Sequence, residues 1–136
     1  MGTVEDITDR KHLEQSLKEA EALFRHAFND VPIGMTLVSA TGQFIKANPY
    51  FCRLVGYTEA ELTTRTFQSI THPDDLEEDL AGFEKLLTRQ VPSSQLQKRY
   101  FDKQGNVVPI VINAAPVFDE KNQFLYCVGY IQDIRD

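Results

Sequence analysis

Residues 48–76 read NPYFCRLVGYTEAELTTRTFQSITHPDDL, and several helix starts follow one another within this stretch. Asn48 can cap a helix whose first turn contains Pro49, because proline lacks the N–H that would stay unpaired there. Thr58 and Glu61 have the spacing of a capping box, in which each side chain accepts from the other's backbone N–H. The stretch therefore predicts short helices in close succession near the middle of the chain.

A longer helix is predicted to open at Thr71-His72-Pro73-Asp74-Asp75, where two carboxylates face its positive end. Its apolar residues recur at helical spacing and so share one face: Leu76, Leu80, Phe83 and Leu87. We expect this face to pack on the core, and we expect the helix to end near Arg89.

Stretches typical of β-strands lie on both sides of these helices. Two precede them, at residues 33–38 and 43–47, and between them Gly42 can adopt the positive φ of a tight hairpin. Three more follow and are rich in β-branched and aromatic residues: residues 95–101, 107–117 and 124–132. Strands at both ends with helices between them predict an α+β domain, in which one antiparallel sheet carries helices on one face.

An amphipathic helix is predicted over residues 9–28, with Thr8 or Asp9 as its cap. Its apolar residues are separated by alternating steps of four and three: Leu13, Leu17, Ala20, Phe24 and Ala27. This heptad period favours a seam between two wrapped helices. The alternative is a single helix lying on its own domain. Two heptads do not hold a coiled coil alone, so a dimer through this seam needs the domain or its neighbours.

The two ends of the chain carry similar motifs. Val4-Glu5-Asp6-Ile7-Thr8-Asp9 stands near the start, and Ile131-Gln132-Asp133-Ile134-Arg135-Asp136 stands at the end. A near-repeat at domain-sized spacing suggests one unit of a tandem array. We therefore interpret residues 1–8 as the tail of a preceding module or a cloning remnant, residues 9–28 as a linker helix and residues 29–136 as the domain.

These motifs together resemble a PAS domain, the sensory module of bacterial signalling proteins. The resemblance spans about residues 22–136 and rests on Asn48-Pro49 with Phe51, on residues 54–58, 61–62 and 67–76, on Lys98-Arg99-Tyr100-Phe101 before Gly105, and on residues 131–134. It implies a five-stranded antiparallel sheet with the first and last strands central, and helices that enclose a small cavity. It also implies that Asp133 and Ile134 form a signal-exit motif, and that the parent protein carries a histidine kinase or diguanylate cyclase as its output domain.

Two residues depart from the family pattern. Pro109 stands where an aromatic residue is expected, and a proline on an interior strand removes a donor from the ladder. We therefore predict a bulge there, or a backbone nitrogen that faces outward. Arg135 stands where threonine is usual, which weakens the cap of the outgoing helix unless Asp133 or Asp136 supplies it.

Composition restricts the partners. The chain has 136 residues and a net charge of −6, and without a long basic cluster we expect neither nucleic acid nor an anionic membrane as a partner. Its apolar runs are too short to span a bilayer. Cys52 and Cys127 are too few for a disulfide framework or a zinc site, so we expect a cytoplasmic location.

The sequence also argues against catalysis. Asp74 and Asp75 are adjacent on a helix and do not face each other. His12 lacks the neighbouring residues of a kinase phosphorylation box, and His26 and His72 lack partners at metal-ligand spacing. We predict neither an enzyme nor a metal site.

Two kinds of PAS cofactor are disfavoured by the resemblance. No histidine occurs between residues 74 and 90 to hold haem, and no cysteine occurs in residues 63–68 to bind flavin covalently. We therefore predict no cofactor, although a small apolar molecule or a non-covalent flavin stays possible. The following residues are expected to line a cavity or simply to fill the core: Phe51, Leu54, Phe67, Ile70, Phe83, Leu87, Ile112 and Tyr126.

Two functions follow. In the first, the module dimerises through the N-terminal helix and the PAS surface, and it passes conformational change through flanking helices to adjacent PAS or output domains. In the second, it is a sensor that holds a small molecule in the cavity. An enzymatic fragment is the third possibility, and the sequence contains no motif for it.

Overall fold

The computed structural model describes the backbone of residues 2–135 and the side chains of residues 11–135. The chain divides into a helical unit that ends at Val31 and a second unit that begins at Pro32. The first unit consists of one continuous helix, α1 (Gly2–Asp30). The helix predicted over residues 9–28 is therefore present, but the prediction that Thr8 or Asp9 caps it is wrong. Either residue costs at most about 0.7 kcal/mol inside a helix, too little to stop it.

The second unit is a five-stranded sheet with four helices inserted after the second strand. Its elements in chain order are β1 (Gly34–Val38), β2 (Phe44–Ala47), α2 (Pro49–Val55), α3 (Glu59–Leu62), α4 (Phe67–Ile70), α5 (Pro73–Leu87), β3 (Ser94–Phe101), β4 (Val107–Phe118) and β5 (Phe124–Asp133). All neighbouring strands pair antiparallel, in the order β2-β1-β5-β4-β3. The α+β class is confirmed, and β1 lies beside the central strand β5 as the resemblance implied.

Asn48 begins α2 and also fixes that helix to β1. Its side chain is fully buried, and its Oδ1 accepts from the N–H of Phe51 at 3.0 Å, which is the predicted cap. The same oxygen accepts from the N–H of Met35 at 2.9 Å, and Nδ2 donates to the carbonyl of Ile33 at 3.0 Å. One amide thus joins a helix start to the strand that precedes it.

The other predicted helix starts are confirmed as well. Thr58 Oγ1 accepts from the N–H of Glu61 at 3.1 Å, and Glu61 Oε1 accepts from the N–H of Thr58 at 2.9 Å, which completes the capping box. The helix α5 begins at Pro73 after His72, whose Nδ1 accepts from the N–H of Asp74. The short helix α4 was not predicted separately, and Thr66 caps it.

The buried face of α5 differs from the one predicted. Leu80 is 38% exposed, whereas Leu86 is 1% exposed and reaches the core. Phe83 packs against that core, and Asp79 lies one turn before it with its side chain 12% exposed. Residues 79, 83 and 86 therefore form the inward face. The sequence pattern missed it because a carboxylate occupies one of the three positions.

No bulge forms at Pro109, so the first of the two predicted alternatives is wrong. The pairing of β3 with β4 continues in register through Arg99 and Pro109, and the irregularity of β4 lies at Val117 and Phe118 instead. The Pro109 carbonyl accepts from the N–H of Ile134 at 3.2 Å. Because the nitrogen and the carbonyl of a strand residue face the same side, the proline nitrogen faces β5 just beyond the paired ladder. The missing donor therefore costs no ladder bond.

Gly42 turns the hairpin between β1 and β2 as predicted, with a φ of +89°. A Cβ at this position would also lie 2.7 Å from the Phe67 ring. Glycine is therefore required both by the backbone conformation and by the packing of α4 on the turn.

Candidate functional site

A cavity of about 410 Å³ lies between the inner face of the sheet and α5. Its floor is a row of small residues that pair across four adjacent strands: Thr36, Gly129, Ala114 and Ser94. On the opposite side α5 contributes Gly82, where an added Cβ would meet no atom within 4 Å. Because little side-chain volume meets at this level, the sheet and the helix cannot fill the space between them.

The apolar part of the wall includes three of the eight residues named from the sequence. These are Phe67, Phe83 and Ile112. The rings of Phe67 and Phe83 pack edge to face, with centroids 5.0 Å apart. Val38, Phe44, Leu86 and Cys127 extend this surface. One side of the cavity can thus hold an apolar body.

The other five named residues lie elsewhere. Phe51 and Ile70 are buried in the core, and Leu54 packs against it. Leu87 follows the inward-facing Leu86 and so points off that face. Tyr126 precedes the buried Cys127 on β5, and alternate residues of a strand face opposite sides of the sheet. The sequence identified the core well and the cavity wall only partly.

A buried ion pair forms the polar part of the wall. Lys98 Nζ lies 2.5 Å from Asp79 Oδ2, and the Lys98 side chain is 1% exposed. The ammonium also donates to Thr71 Oγ1 at 3.3 Å and lies 4.6 Å from the centre of the Tyr100 ring. Burial lowers the pKa of Lys98, and the attraction of Asp79 opposes that shift. The pair joins α5 to β3 across the cavity.

Two hydroxyl groups complete the polar part of the wall. Thr36 is 3% exposed and Tyr100 is 1% exposed, and both line the cavity. Within the described part of the chain, neither hydroxyl has a hydrogen-bond partner. Burial raises the pKa of Tyr100, so its phenol stays protonated and can donate. Sequence reasoning did not name Thr36 or Tyr100 as cavity residues.

It did not name Lys98 as a cavity residue either. The signal that could have found Lys98 is its place between Leu96 and Tyr100 on one face of a strand, which predicts a buried position.

Neither cysteine is arranged as a nucleophile. Cys127 lines the cavity, and burial raises the pKa of its thiol to about 11. Burial also raises the pKa of Cys52, which packs on the core. Since the thiolate is the reactive form, both residues behave as small apolar side chains at neutral pH.

A second ion pair fixes the start of α5 to the same strand. Arg99 Nη2 and Nε donate to the two carboxylate oxygens of Asp75 at 2.9 and 3.0 Å, and the Arg99 N–H adds a third bond at 2.8 Å. These hydrogen bonds hold the pKa of Asp75 below its usual value. Adjacent residues of β3 therefore hold two positions of α5 beside the cavity.

The residues of the exit motif follow directly from β5. Asp133 Oδ1 accepts from the backbone N–H of Arg135 at 2.9 Å. Residues 134–135 are not helical, so the capping role considered for Asp133 stays a prediction. The Arg135 guanidinium binds the same carboxylate and lowers the pKa of Asp133. Ile134 is 43% exposed. Asp136 and the side chains of Asp6 and Ile7 lie outside the described residues.

All five residues of the predicted helix seam are exposed in the single chain. Leu13 is 62% exposed, Leu17 is 57% exposed and Phe24 is 48% exposed. Ala20 and Ala27 lie on the same stripe. The described residues of α1 therefore carry an exposed apolar stripe.

No group of three or more metal-binding side chains occurs in the part of the chain that the structure describes. Between residues 2 and 135, no helix is both long enough and apolar enough to cross a membrane.

The family is established by comparison with known proteins. The family model described as PAS domain matches residues 32–136, and this chain therefore belongs to the PAS family. The PAS domain from Colwellia psychrerythraea superposes with a TM-score of 0.77 at 20% identity, over 85% of this chain and 97% of that one. A PAS domain of an HTR-like protein from Haloarcula marismortui gives a TM-score of 0.71 at 20% identity, over 91% and 99% of the two chains.

Curated relatives are multidomain signalling proteins. The chain is 35% identical to the probable diguanylate cyclase DgcE of Escherichia coli over 94% of its own length and 11% of that protein. It is 25% identical to sporulation kinase E of Bacillus subtilis over 96% of its length and 16% of that protein. The chain thus spans less than a fifth of either relative. It is a sensory module, and the catalytic activities in those names belong to the relatives.

Proposed function

We propose that this PAS domain is a non-catalytic relay module, which dimerises through α1 and passes conformational change between the segments that enter and leave it. The observation that carries the proposal is the exposed heptad stripe on a 29-residue helix. An apolar seam with a period of 3.5 residues is what a second copy of the same helix would cover. The outer surface of the PAS sheet would add contact area.

The connectivity of the sheet supports a relay. The strands β1 and β5 are paired neighbours, and both contribute residues to the cavity wall. The strand β1 begins at Gly34, shortly after α1 ends at Asp30, and β5 ends at Asp133 in the exit motif. A change in the cavity thus acts on the two strands that continue into the flanking segments. Helix shifts of 1–2 Å are a common form of switching transition.

The output domain is proposed from the relatives. Because they include a probable diguanylate cyclase and a sporulation kinase, we infer that a cyclase or a histidine kinase elsewhere in the parent chain receives the signal. We also place the module in the cytoplasm, since Cys52 and Cys127 are both free thiols and suit a reducing compartment.

The relay proposal is tested by a substitution that places a charge in the apolar seam of α1. Leu17→Glu should weaken self-association at least tenfold in sedimentation experiments, because a carboxylate would be desolvated in the seam. Ala22→Glu is the matched control, since it adds the same charge to α1 outside the stripe. Equal association of the wild-type chain and Leu17→Glu would reject the seam.

The cavity supports a second candidate function, a sensor that binds a small molecule. A fully packed core would have argued against it, whereas the structure contains about 410 Å³ of space. Native mass spectrometry of the purified chain tests this function directly. An added mass that Phe83→Ala removes would support the sensor. A ligand-free wild-type dimer would favour the relay alone.

A further inference from the structure

We propose that the cavity binds a small uncharged molecule with an apolar body and a head group, such as a hydroxyl or amide, that both donates and accepts hydrogen bonds. This inference rests on the sensor function proposed above and gives it a ligand class. It differs from the small apolar molecule or non-covalent flavin that the sequence left open beside the prediction of no cofactor.

The charges of the wall select against an ionic ligand. Glu78 and Asp79 are balanced by Lys85 and Lys98, so the wall has no net charge. Lys98, the buried cation of this wall, already has Asp79 at 2.5 Å and Thr71 at 3.3 Å. An anion would have to displace Asp79, and a cation would have to displace Lys98. Either exchange leaves a buried charge without its partner, which is costly in a protein interior.

The unpaired polar groups select for an uncharged polar head. The hydroxyls of Thr36 and Tyr100 can donate, and Asp79 uses only Oδ2 for Lys98, which leaves Oδ1 free to accept. A ligand without polar atoms would displace water from these groups and leave them unsatisfied. A head group that donates to the carboxylate and accepts from a hydroxyl would replace the lost water.

The opposite part of the wall suits an apolar body. Phe67, Phe83 and Ile112 present ring and aliphatic surface to the cavity. The volume of about 410 Å³ lies within the range of ordinary small-molecule sites. Because apolar and polar surfaces meet in one cavity, a ligand with one polar end satisfies both.

Four compounds with the same ring and different head groups test the inference. Benzyl alcohol, toluene, benzoate and benzylammonium would each be titrated into the ¹⁵N-labelled chain at pH 7, and the dissociation constant read from amide shifts. Benzyl alcohol should bind at least about fivefold more tightly than each of the other three, since one good hydrogen bond contributes about that much.

Matched variants locate the binding site. Thr36→Val and Tyr100→Phe should each weaken the binding of benzyl alcohol by roughly threefold to tenfold, because each removes one hydroxyl. The binding of toluene should not change. Tyr130→Phe is the control, since Tyr130 lies on the outer face of the sheet and is 40% exposed. Ala114→Leu should abolish binding of benzyl alcohol by filling the floor of the cavity. Amide spectra establish whether each variant is folded. If Tyr100→Phe does not fold, Thr36→Val alone tests the contribution of the hydroxyls.

Three results would overturn the inference. Tightest binding of benzoate or benzylammonium would show that an ion pair, not the hydroxyls, recognises the ligand. Equal binding of toluene and benzyl alcohol would show that the polar wall plays no part. Failure of all four compounds to bind would overturn the proposed ligand class. In all three cases the sensor function is decided separately, by the native mass spectrometry described above. The relay through α1 is measured independently by sedimentation.

Discussion

Lys98 is the residue that most distinguishes this interior from a simple apolar core. A lysine with a side chain 1% exposed is stable only because Asp79 and Thr71 surround its ammonium group. The pair restrains α5 against β3 while leaving space beside it. The same residue therefore contributes to the shape of the core and to the chemistry of the cavity.

Breaking this ion pair should be more harmful than removing it. Lys98→Met should lower the free energy of unfolding by about 3 kcal/mol, because it leaves Asp79 charged and largely buried. The double variant Lys98→Met with Asp79→Leu should recover much of this loss, since no isolated charge remains. Urea denaturation measures both values. A double variant as unstable as Lys98→Met would show that packing of the lysine stem, not its charge, accounts for the effect.

Asp75 gives the protein a defined acid sensitivity. Arg99 lowers the pKa of Asp75 in the folded state, so between that value and the usual value of about 3.9 the unfolded chain binds more protons. The contribution of Asp75 to stability is complete above about pH 5 and is lost as the pH falls through the folded-state pKa. Asp75→Asn should therefore flatten the dependence of unfolding free energy on pH between about 5 and 2. An unchanged slope would show that other carboxylates dominate acid unfolding.

The helix α5 encloses the cavity and is anchored in both its N-terminal and its C-terminal half. Leu86 is buried near its C-terminus, whereas Gly82 leaves space beside its middle. Asp75 and Asp79 hold its N-terminal half to β3. A helix held at its ends over a partly empty centre can shift when that centre is filled.

Two leucines on α5 test which face is buried. Leu86→Ala should lower the unfolding free energy by about 3 kcal/mol, since it removes buried methyl groups from the core. Leu80→Ala, the same change on a side chain that is 38% exposed, should cost less than about 1 kcal/mol. Chemical denaturation compares them directly. Equal losses of unfolding free energy would show that the buried face of α5 is the predicted stripe that includes Leu80.

The chain as a whole joins a PAS body to a long helix that carries an exposed apolar stripe. Helices held only by their own backbone bonds are marginal in water, so α1 needs an added apolar contact. The proposed dimer supplies it, and folding of α1 would then be coupled to association.

This coupling predicts a helical signal that depends on concentration. Dilution of the wild-type chain should reduce the circular dichroism of α-helix, because α1 loses its partner, while near-ultraviolet signals from the PAS body stay constant. Leu17→Glu should show the low helical signal at all concentrations. A helical signal that does not change on dilution, in a chain shown to dissociate, would mean that α1 is stable without its seam.

Local signals in the sequence were sufficient for most of the fold. The caps at Asn48 and Thr58 and the positive φ of Gly42 depend on residues close in the chain, so their spacing reveals them. The predicted strand boundaries agree with those of the structure within one or two residues, because they too depend on residues close in the chain. The error at Thr8 and Asp9 shows the limit, since a residue that can cap a helix does so only where the backbone leaves the helix.

The cavity, in contrast, was decided by strand register and by helix rotation. Thr36, Gly129, Ala114 and Ser94 are distant in sequence, and only the pairing of β1, β5, β4 and β3 places them in one row. Tyr126 was assigned to the wrong face because a shift of one residue reverses every side chain of a strand. The sequence thus determined the strands, most of the helices and the resemblance to the PAS family. The tertiary structure alone brought Lys98 to Asp79 and left space beside them, because such contacts depend on long-range packing that no local pattern encodes.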